Sequence, residues 1–229
     1  MNKSLLSLFL TGLLIATTAS QASAQAPAPT ETKEAAYTRT ITERAAKIVG
    51  KIDGLKAKDS VQVRDVIADQ YRALNDIYEQ QKSRKAALKA QPQTDATKAA
   101  LAQVETETTA ALDKLHPQFL KKLSRRLTPA QVEQVKDGMT YGVLPLTMNA
   151  YNDMLPNLTK EQRAQMLAWL TEAREHAMDG GTSEQKHAWF GKYKGRINNY
   201  LSAAGIDMKQ AGIDWQARIA ARKAAGTAQ

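Results

Sequence analysis

The sequence of 229 residues contains no cysteine. This absence excludes disulfide bonds, thiol catalysis, iron–sulfur clusters and zinc sites with thiolate ligands. The three histidines, His116, His176 and His187, are far apart, and none has a neighbour at a spacing typical of metal ligands. We therefore predict that the protein holds neither a metal ion nor a cofactor.

Motifs of the common enzyme classes are also missing. The sequence has no Gly-x-Ser-x-Gly, no phosphate-binding loop and no dinucleotide fingerprint. It shows no carboxylate pair of the kind used in glycoside hydrolysis, and we interpret Glu172, Glu175 and Asp179 as a solvated acidic face of one helix. Catalysis stays open, but these absences favour a binding function.

Long apolar runs are scarce, and the clearest one lies at the N-terminus. Leu5 to Ala16 follows the charged Lys3 and precedes the small residues Ala22-Ser23-Ala24. This pattern is typical of a signal peptide over residues 1–24, and the run is too short for a membrane span. Cleavage before Gln25 removes 24 residues and leaves 205. We expect export to the periplasm or the extracellular space, with no membrane span after cleavage.

The chain is basic, with a formal net charge of +9. Loss of residues 1–24 removes one lysine and no acidic residue, so the charge falls to about +8. A basic surface favours anionic partners, and acidic oligosaccharides are such partners outside the cell. An exported protein meets little nucleic acid, so we do not expect nucleic acid as a partner.

Most of the chain has helical periodicity and no strand pattern. Residues 25–35 are rich in proline, alanine and threonine and are predicted to be a disordered tether. Residues 36–225 are predicted to form one all-α domain, a bundle of about seven helices with a Gly/Pro-rich loop and a short helix in the middle. The first helix is expected from about Ala36 to Ile52, and Pro117 is expected to kink or divide the third helix.

Three helix starts have the same local signature. Each has a threonine at the N-cap and a glutamine three residues later, so that side chain and backbone cap each other reciprocally. The pairs are Thr128 with Gln131, Thr159 with Gln162, and Thr182 with Gln185.

The stretch from Lys186 to Leu201, "KHAWFGKYKGRINNYL", combines aromatic, cationic and small residues on one predicted helix. Gly191 and Gly195 each cost about 1 kcal/mol within a helix, which predicts close approach of another helix or a ligand. One interpretation is ordinary core packing. The other is a sugar-binding surface, in which rings stack on sugar C–H faces and polar groups bind hydroxyls. Its candidate residues are Trp189, Lys192, Tyr193, Arg196, Asn198 and Asn199.

A second candidate site lies in Lys136 to Val143, "KDGMTYGV". Asp137, Thr140 and Tyr141 can form the polar edge of a pocket where a helix gives way to a loop. The alternative is a glycine-capped helix end with Tyr141 turned inward.

Three long strings resemble one known family. They are "LTPAQVEQVKDGMTYGV", "MLPNLTKEQRAQMLAWLTEAREHAMDGG" and "SEQKHAWFGKYKGRINNYLSAAG", and the likeness is densest over Leu127 to Gly205. The family consists of secreted bacterial proteins of unknown function that are described as candidate sugar-binding proteins. The resemblance implies non-catalytic carbohydrate binding linked to polysaccharide utilisation, and it brings no catalytic residues with it.

A looser likeness is to small periplasmic chaperones with two Leu-Thr-x-x-Gln motifs, which Leu127 to Gln131 and Leu158 to Gln162 match. It implies the alternative function of a chaperone or scaffold that binds unfolded or partner chains. A polysaccharide-directed enzyme is a third alternative.

Overall fold

The computed structural model describes residues 31–226, and within this range it contains eight α-helices and no strand. The predicted all-α class is confirmed, with eight helices where about seven were expected. None of the described helices combines the length and apolar character needed to cross a membrane. The helices are α1 (Lys33–Val49), α2 (Ala57–Lys89), α3 (Asp95–Ser124), α4 (Pro129–Met139), α5 (Val143–Met154), α6 (Lys160–Met178), α7 (Ser183–Ala203) and α8 (Met208–Gly226).

The N-terminal predictions fall partly outside this range. The signal peptide assigned to residues 1–24 and residues 25–30 of the tether lie outside the described residues. The last three tether positions, 33–35, form the first turn of α1. Helix α1 therefore begins three residues before the predicted Ala36.

All three predicted capping boxes are confirmed. The side chains of Thr128, Thr159 and Thr182 each accept a hydrogen bond from the backbone N–H three residues later, at 3.1–3.3 Å. The glutamine at that third position accepts in turn from the backbone N–H of the threonine. These caps fix where α4, α6 and α7 begin.

Proline and glycine break the helices less than predicted. Helix α3 runs undivided through Pro117, because buried Phe119 and Leu123 hold the segment beyond the proline in the core. The Gly/Pro-rich middle contains a loop of only three residues, 140–142. Pro145 lies in the first turn of α5, where its missing N–H has no helical partner to lose.

The buried apolar side chains form two clusters. The first is built mainly from α1, α2, α3 and α4, and the second from α5, α6 and α7 with partial cover from α8. Helix α6 contributes to both, with Met178 in the first cluster and Met166 and Leu170 in the second. A set of charged side chains from α3, α4 and α6 lies between the two clusters. This set positions part of the candidate site.

Close backbone approach occurs at glycines other than those predicted. A Cβ on Gly138 would lie 2.8 Å from Ile48 Cγ2, and a Cβ on Gly181 would lie 2.5 Å from Tyr78 Cδ2. A Cβ on Gly191 or Gly195 would meet no described atom within 4 Å. The predicted close approach of another helix to these two glycines was wrong, because they lie on the exposed side of α7. The alternative of a ligand at this position stays a prediction.

Candidate functional site

The candidate residues of α7 do not form one surface. Tyr193 is buried, with 5% of its surface exposed, so it belongs to the second apolar cluster. Trp189 is partly buried, and two neighbours already cover its indole. The His176 ring stacks on it at a centroid distance of 4.3 Å, and Lys192 Nζ lies 5.0 Å from the ring centroid.

The remaining α7 candidates face different neighbours. Arg196 lies over the Trp169 ring at 4.4 Å and 3.9 Å from a carboxylate oxygen of Glu172. Asn198 Oδ1 accepts a 2.6 Å hydrogen bond from the Tyr151 hydroxyl. Asn199 is exposed. Lys192, Tyr193 and Arg196 line one small pocket of about 250 Å³ together with Glu172, and Asn198 and Asn199 are not part of its lining. The structure thus favours core packing for part of this helix and brings only part of the predicted set together.

Two of these residues, Trp189 and Lys192, line a groove of about 550 Å³, which we call the Trp189 groove. Its opposite wall comes from α2 and α3 and includes Lys85 and Glu105. These two side chains form an ion pair, and Gln81 donates a 2.7 Å hydrogen bond to the same carboxylate. The polar groups on this wall of the Trp189 groove are therefore largely bonded to each other.

The second predicted site has a clearer geometry. Asp137 and Tyr141 line a cleft of about 570 Å³ against α1, which we call the α1 cleft. Thr140 does not line it: its buried hydroxyl donates to the carbonyl oxygen of Lys136 at 2.8 Å. Tyr141 is 48% exposed, so the inward orientation of the alternative interpretation is not observed.

Two cations of α1 and one from the turn that follows it form the opposite wall of the α1 cleft. Arg44 and Lys47 are three residues apart and so lie on one side of α1, and Lys51 lies in the turn after Val49. None of the three makes an ion pair with another residue in the range 31–226. Arg44 Cζ lies 5.5 Å from the centroid of the Tyr71 ring, which also lines the cleft. Sequence reasoning missed these cations because α1 was analysed for its apolar stripe alone.

Tyr141 has a backbone conformation that an aromatic residue rarely adopts. Its φ of 60° is in the left-handed region, which costs roughly 1–2 kcal/mol for a residue with a Cβ. Its ring stacks on that of His187 with centroids 5.5 Å apart and planes 15° apart. An exposed aromatic ring held at a strained position is a marker of function, because burial alone does not explain it.

We expect the free energy of unfolding of Tyr141→Gly to exceed that of Tyr141→Ala by about 1 kcal/mol. Tyr141→Gly should therefore unfold at a higher urea concentration. Both variants lose the ring, but only glycine adopts the left-handed conformation without strain. Chemical denaturation of the two variants checks this. Equal stabilities would show that the strain at position 141 is no larger than the conformational entropy that glycine adds to the unfolded chain.

Beneath the α1 cleft, a network of charges holds Asp137. Arg174 Nη1 on α6 donates a 2.7 Å bond to Asp137 Oδ1, and its Nη2 contacts Glu133. The Arg174 side chain is only 4% exposed. Burial opposes its charge, but the bonds to Asp137 and Glu133 outweigh burial and raise the pKa of the guanidinium. The side chain of Asp137 is therefore positioned by a permanent cation.

His116 of α3 extends this network. Its Nδ1 lies 2.8 Å from Asp179 Oδ2 and its Nε2 lies 3.2 Å from Glu175 Oε2. Hydrogen bonds to Asp179 and then Glu175 raise the pKa of His116 to about 9. Burial works against ionisation of Glu175, but the bonds from His116 and Lys136 lower its pKa to about 2.

This arrangement corrects the predicted acidic face of α6. The side chains of Glu175 and Asp179 are 29% and 17% exposed, and both are paired with His116. Glu172 is the exposed member of the three. The pattern on one helix did not reveal the partners, because these belong to α3 and α4.

A buried lysine closes the C-terminal end of α6. Lys186 Nζ donates two 3.0 Å hydrogen bonds, to the carbonyl oxygens of Ala177 and Met178. Burial lowers its pKa to about 8. The ammonium thus binds two carbonyl groups in the last turn of the helix, one of which, that of Ala177, also accepts from the backbone N–H of Gly180 at 3.1 Å.

The chemistry available in the α1 cleft is that of anion binding. Lys47, Lys51 and Arg44 can donate charge-assisted hydrogen bonds, and the Tyr141 ring offers an apolar plate. Over residues 31–226, no group of three or more histidine, aspartate or glutamate side chains is arranged to hold a metal ion.

Comparison with known proteins identifies a family but no activity. A search of curated proteins gives no significant match. A family model described as "Protein of unknown function (DUF3826)" matches residues 38–221, which include most of α1, the whole of α2 to α7 and most of α8. The predicted resemblance to a family of unknown function is thereby confirmed, and the chain belongs to the DUF3826 family.

Proposed function

We propose that this protein binds acidic carbohydrate in the α1 cleft and does not transform it. The observation that carries the proposal is the set of three cations without carboxylate partners, which faces an exposed aromatic ring across the cleft. A cation that is already paired with a carboxylate of the protein offers little affinity to an anionic ligand. Arg44, Lys47 and Lys51 keep their charge available.

Two different parts of the proposed ligand bind different residues of the cleft. The carboxylates of uronic acid units bind Lys47, Lys51 and Arg44. A sugar C–H face packs on the ring of Tyr141, as apolar surface does on aromatic side chains. Asp137 keeps one carboxylate oxygen without a hydrogen bond to the described residues, and this oxygen can accept from a hydroxyl.

The cleft composition supports binding over hydrolysis. Hydrolysis of glycosidic bonds generally uses two carboxyl groups on opposite sides of the bond. Among the described residues that line the α1 cleft, Asp137 is the only one with a carboxylate, and it is bonded to Arg174.

The α1 cleft is a better candidate than the Trp189 groove predicted from the sequence. In the groove, Lys85 is paired with Glu105 and the indole of Trp189 is covered by His176 and Lys192. A sugar must displace these contacts before it binds. The α1 cleft requires no such displacement at Lys47 and Lys51.

We expect the double variant Lys47→Gln/Lys51→Gln to bind a uronic-acid oligosaccharide about tenfold more weakly than the wild type. Its affinity for a neutral oligosaccharide of the same length should change less, because only the acidic ligand loses charge-assisted bonds. Titration calorimetry at low and at physiological salt measures both affinities, and the loss should shrink at higher salt.

The matched control is Lys192→Gln/Arg196→Gln, which removes the same charge from α7. Loss of binding in this variant, with unchanged binding in the α1 variant, would move the site to α7. Absence of glycan binding by the wild type, together with suppression of aggregation of an unfolding protein, would favour the chaperone alternative. Formation of shorter or unsaturated products from the oligosaccharide would favour an enzyme.

A further inference from the structure

A separate pocket lies between α5, α7 and α8 and shares no lining residue with the α1 cleft. Its volume is about 400 Å³, within the range of small-molecule sites. Its walls are mostly apolar and include Leu146, Met154, Met208 and Trp215. We call it the α8 pocket.

The apolar walls are incompletely covered. Leu146 is 65% exposed, although it is a large aliphatic side chain next to a cavity. Trp215 is held in place by a 2.7 Å hydrogen bond from its indole N–H to Asp153 Oδ2. With that donor engaged, the ring contributes apolar surface to the pocket rather than a hydrogen bond.

Two polar groups at the pocket belong to α7. Lys194 has no carboxylate partner in the range 31–226. Asn198 Oδ1 accepts from the Tyr151 hydroxyl at 2.6 Å, which leaves the two N–H donors of its amide without a partner among the described residues. One turn of helix separates the two residues, so a cation and an amide donor stand side by side.

The carboxylate that is bonded to Trp215 is also paired with a cation. Asp153 receives bonds from Arg222 at 2.7 and 3.1 Å as well as from Trp215. Hydrogen bonds from Arg222 and Trp215 lower the pKa of Asp153 to about 2. Among the described residues that line the pocket, Lys194 is the one with a charge, and Thr147, Tyr151 and Asn198 are its uncharged polar members.

We propose that the α8 pocket binds small apolar molecules that carry one anionic group, such as aromatic or medium-chain carboxylates. The apolar body lies against Leu146, Met154 and Trp215, and the anion binds Lys194 and the amide of Asn198. The apolar walls provide affinity for the hydrocarbon body, charged or not, and the cation and the amide add affinity for the anionic group.

Two fluorescent probes with similar ring systems test the proposal. Anilinonaphthalene sulfonate is an apolar anion, and phenylnaphthylamine is its uncharged counterpart. We expect the wild type to bind the anion, with quenching of tryptophan fluorescence and competition by octanoate. Lys194→Gln should weaken the anion about threefold to tenfold and leave the uncharged probe unchanged.

The control variants locate the site. Lys192→Gln makes the same change two residues away on α7 and should leave both probes unaffected. Ala150→Phe fills the pocket and should remove both, while thermal melting verifies that the variant is folded. Equal binding of the anionic probe by wild type and Lys194→Gln would overturn the proposal. So would its persistence in folded Ala150→Phe.

Discussion

Arg174→Met is expected to lower the free energy of unfolding by about 3 kcal/mol, the lower end of the cost of removing one partner from a buried ion pair. Methionine keeps an apolar side chain of similar length, so the loss of stability measures the contribution of the guanidinium group. Urea denaturation monitored by circular dichroism measures it.

The physical cause is the carboxylates left behind. Asp137 loses its 2.7 Å bond to Arg174, whereas Glu133 and Glu175 keep a bond to Lys136. Asp137 is partly shielded from water, with 30% of its side chain exposed. The expected loss of stability is near the lower end of the range for buried ion pairs because water partly solvates the carboxylate of Asp137.

A second variant isolates that penalty. Adding Asp137→Asn to Arg174→Met removes the orphaned charge and should recover part of the lost stability. A loss below about 1 kcal/mol in the single variant would contradict the network as described. Failure of the double variant to recover any stability would show that the loss comes from packing around the arginine stem instead.

The free energy of unfolding is expected to fall as the pH rises from about 6.5 to 9, because of His116. Its pKa is about 9 in the folded protein against 6.5 in an ordinary environment. The folded protein therefore keeps a proton that the unfolded chain releases. The stabilisation is complete below pH 6.5 and lost as the pH passes 9, and its full size is about 3 kcal/mol.

Lys186 limits the window in which this effect is visible. Its folded pKa of about 8 lies below its ordinary value of 10.5, so it makes the folded protein more stable as the pH rises from 8 to 10.5. The decline due to His116 is thus clearest between pH 6.5 and 8, where Lys186 is protonated in both states.

The variant His116→Gln tests the assignment. It keeps a hydrogen-bonding side chain but cannot titrate, so its stability should vary little between pH 6.5 and 8. A pH profile identical to that of the wild type would assign the decline to other groups. Chemical denaturation at several pH values provides both profiles.

The helical fold was predictable because its signals are local. The capping boxes at Thr128, Thr159 and Thr182 each lie within four residues, and the apolar periodicity of each helix is visible along the chain. The effect of Pro117 was not predictable in the same way. Whether a proline divides a helix depends on the packing on both sides of it, and this packing is tertiary.

The candidate site was predicted in part. Asp137 and Tyr141 were identified from a loop rich in glycine, and both line the α1 cleft. The cations opposite them come from α1 and the turn after it, almost a hundred residues earlier, and the charge network joins residues 37 to 63 positions apart. No spacing rule on one sequence links such positions.

The glycines of α7 show a limit of local reasoning. A glycine within a helix costs stability whether its neighbour is a protein atom or open space. The sequence therefore indicates that the cost exists, as at Gly191 and Gly195, but the close contacts proved to be at Gly138 and Gly181.

The ionic layer between the two apolar clusters has a mechanical consequence. Helix α6 contributes apolar side chains to both clusters, and its Arg174 and Glu175 bond to α4 and α3 across the layer. Buried ion pairs tolerate little change in distance or direction, because a charge that loses its partner there is left uncompensated. The layer therefore sets the register in which α6 meets α3 and α4.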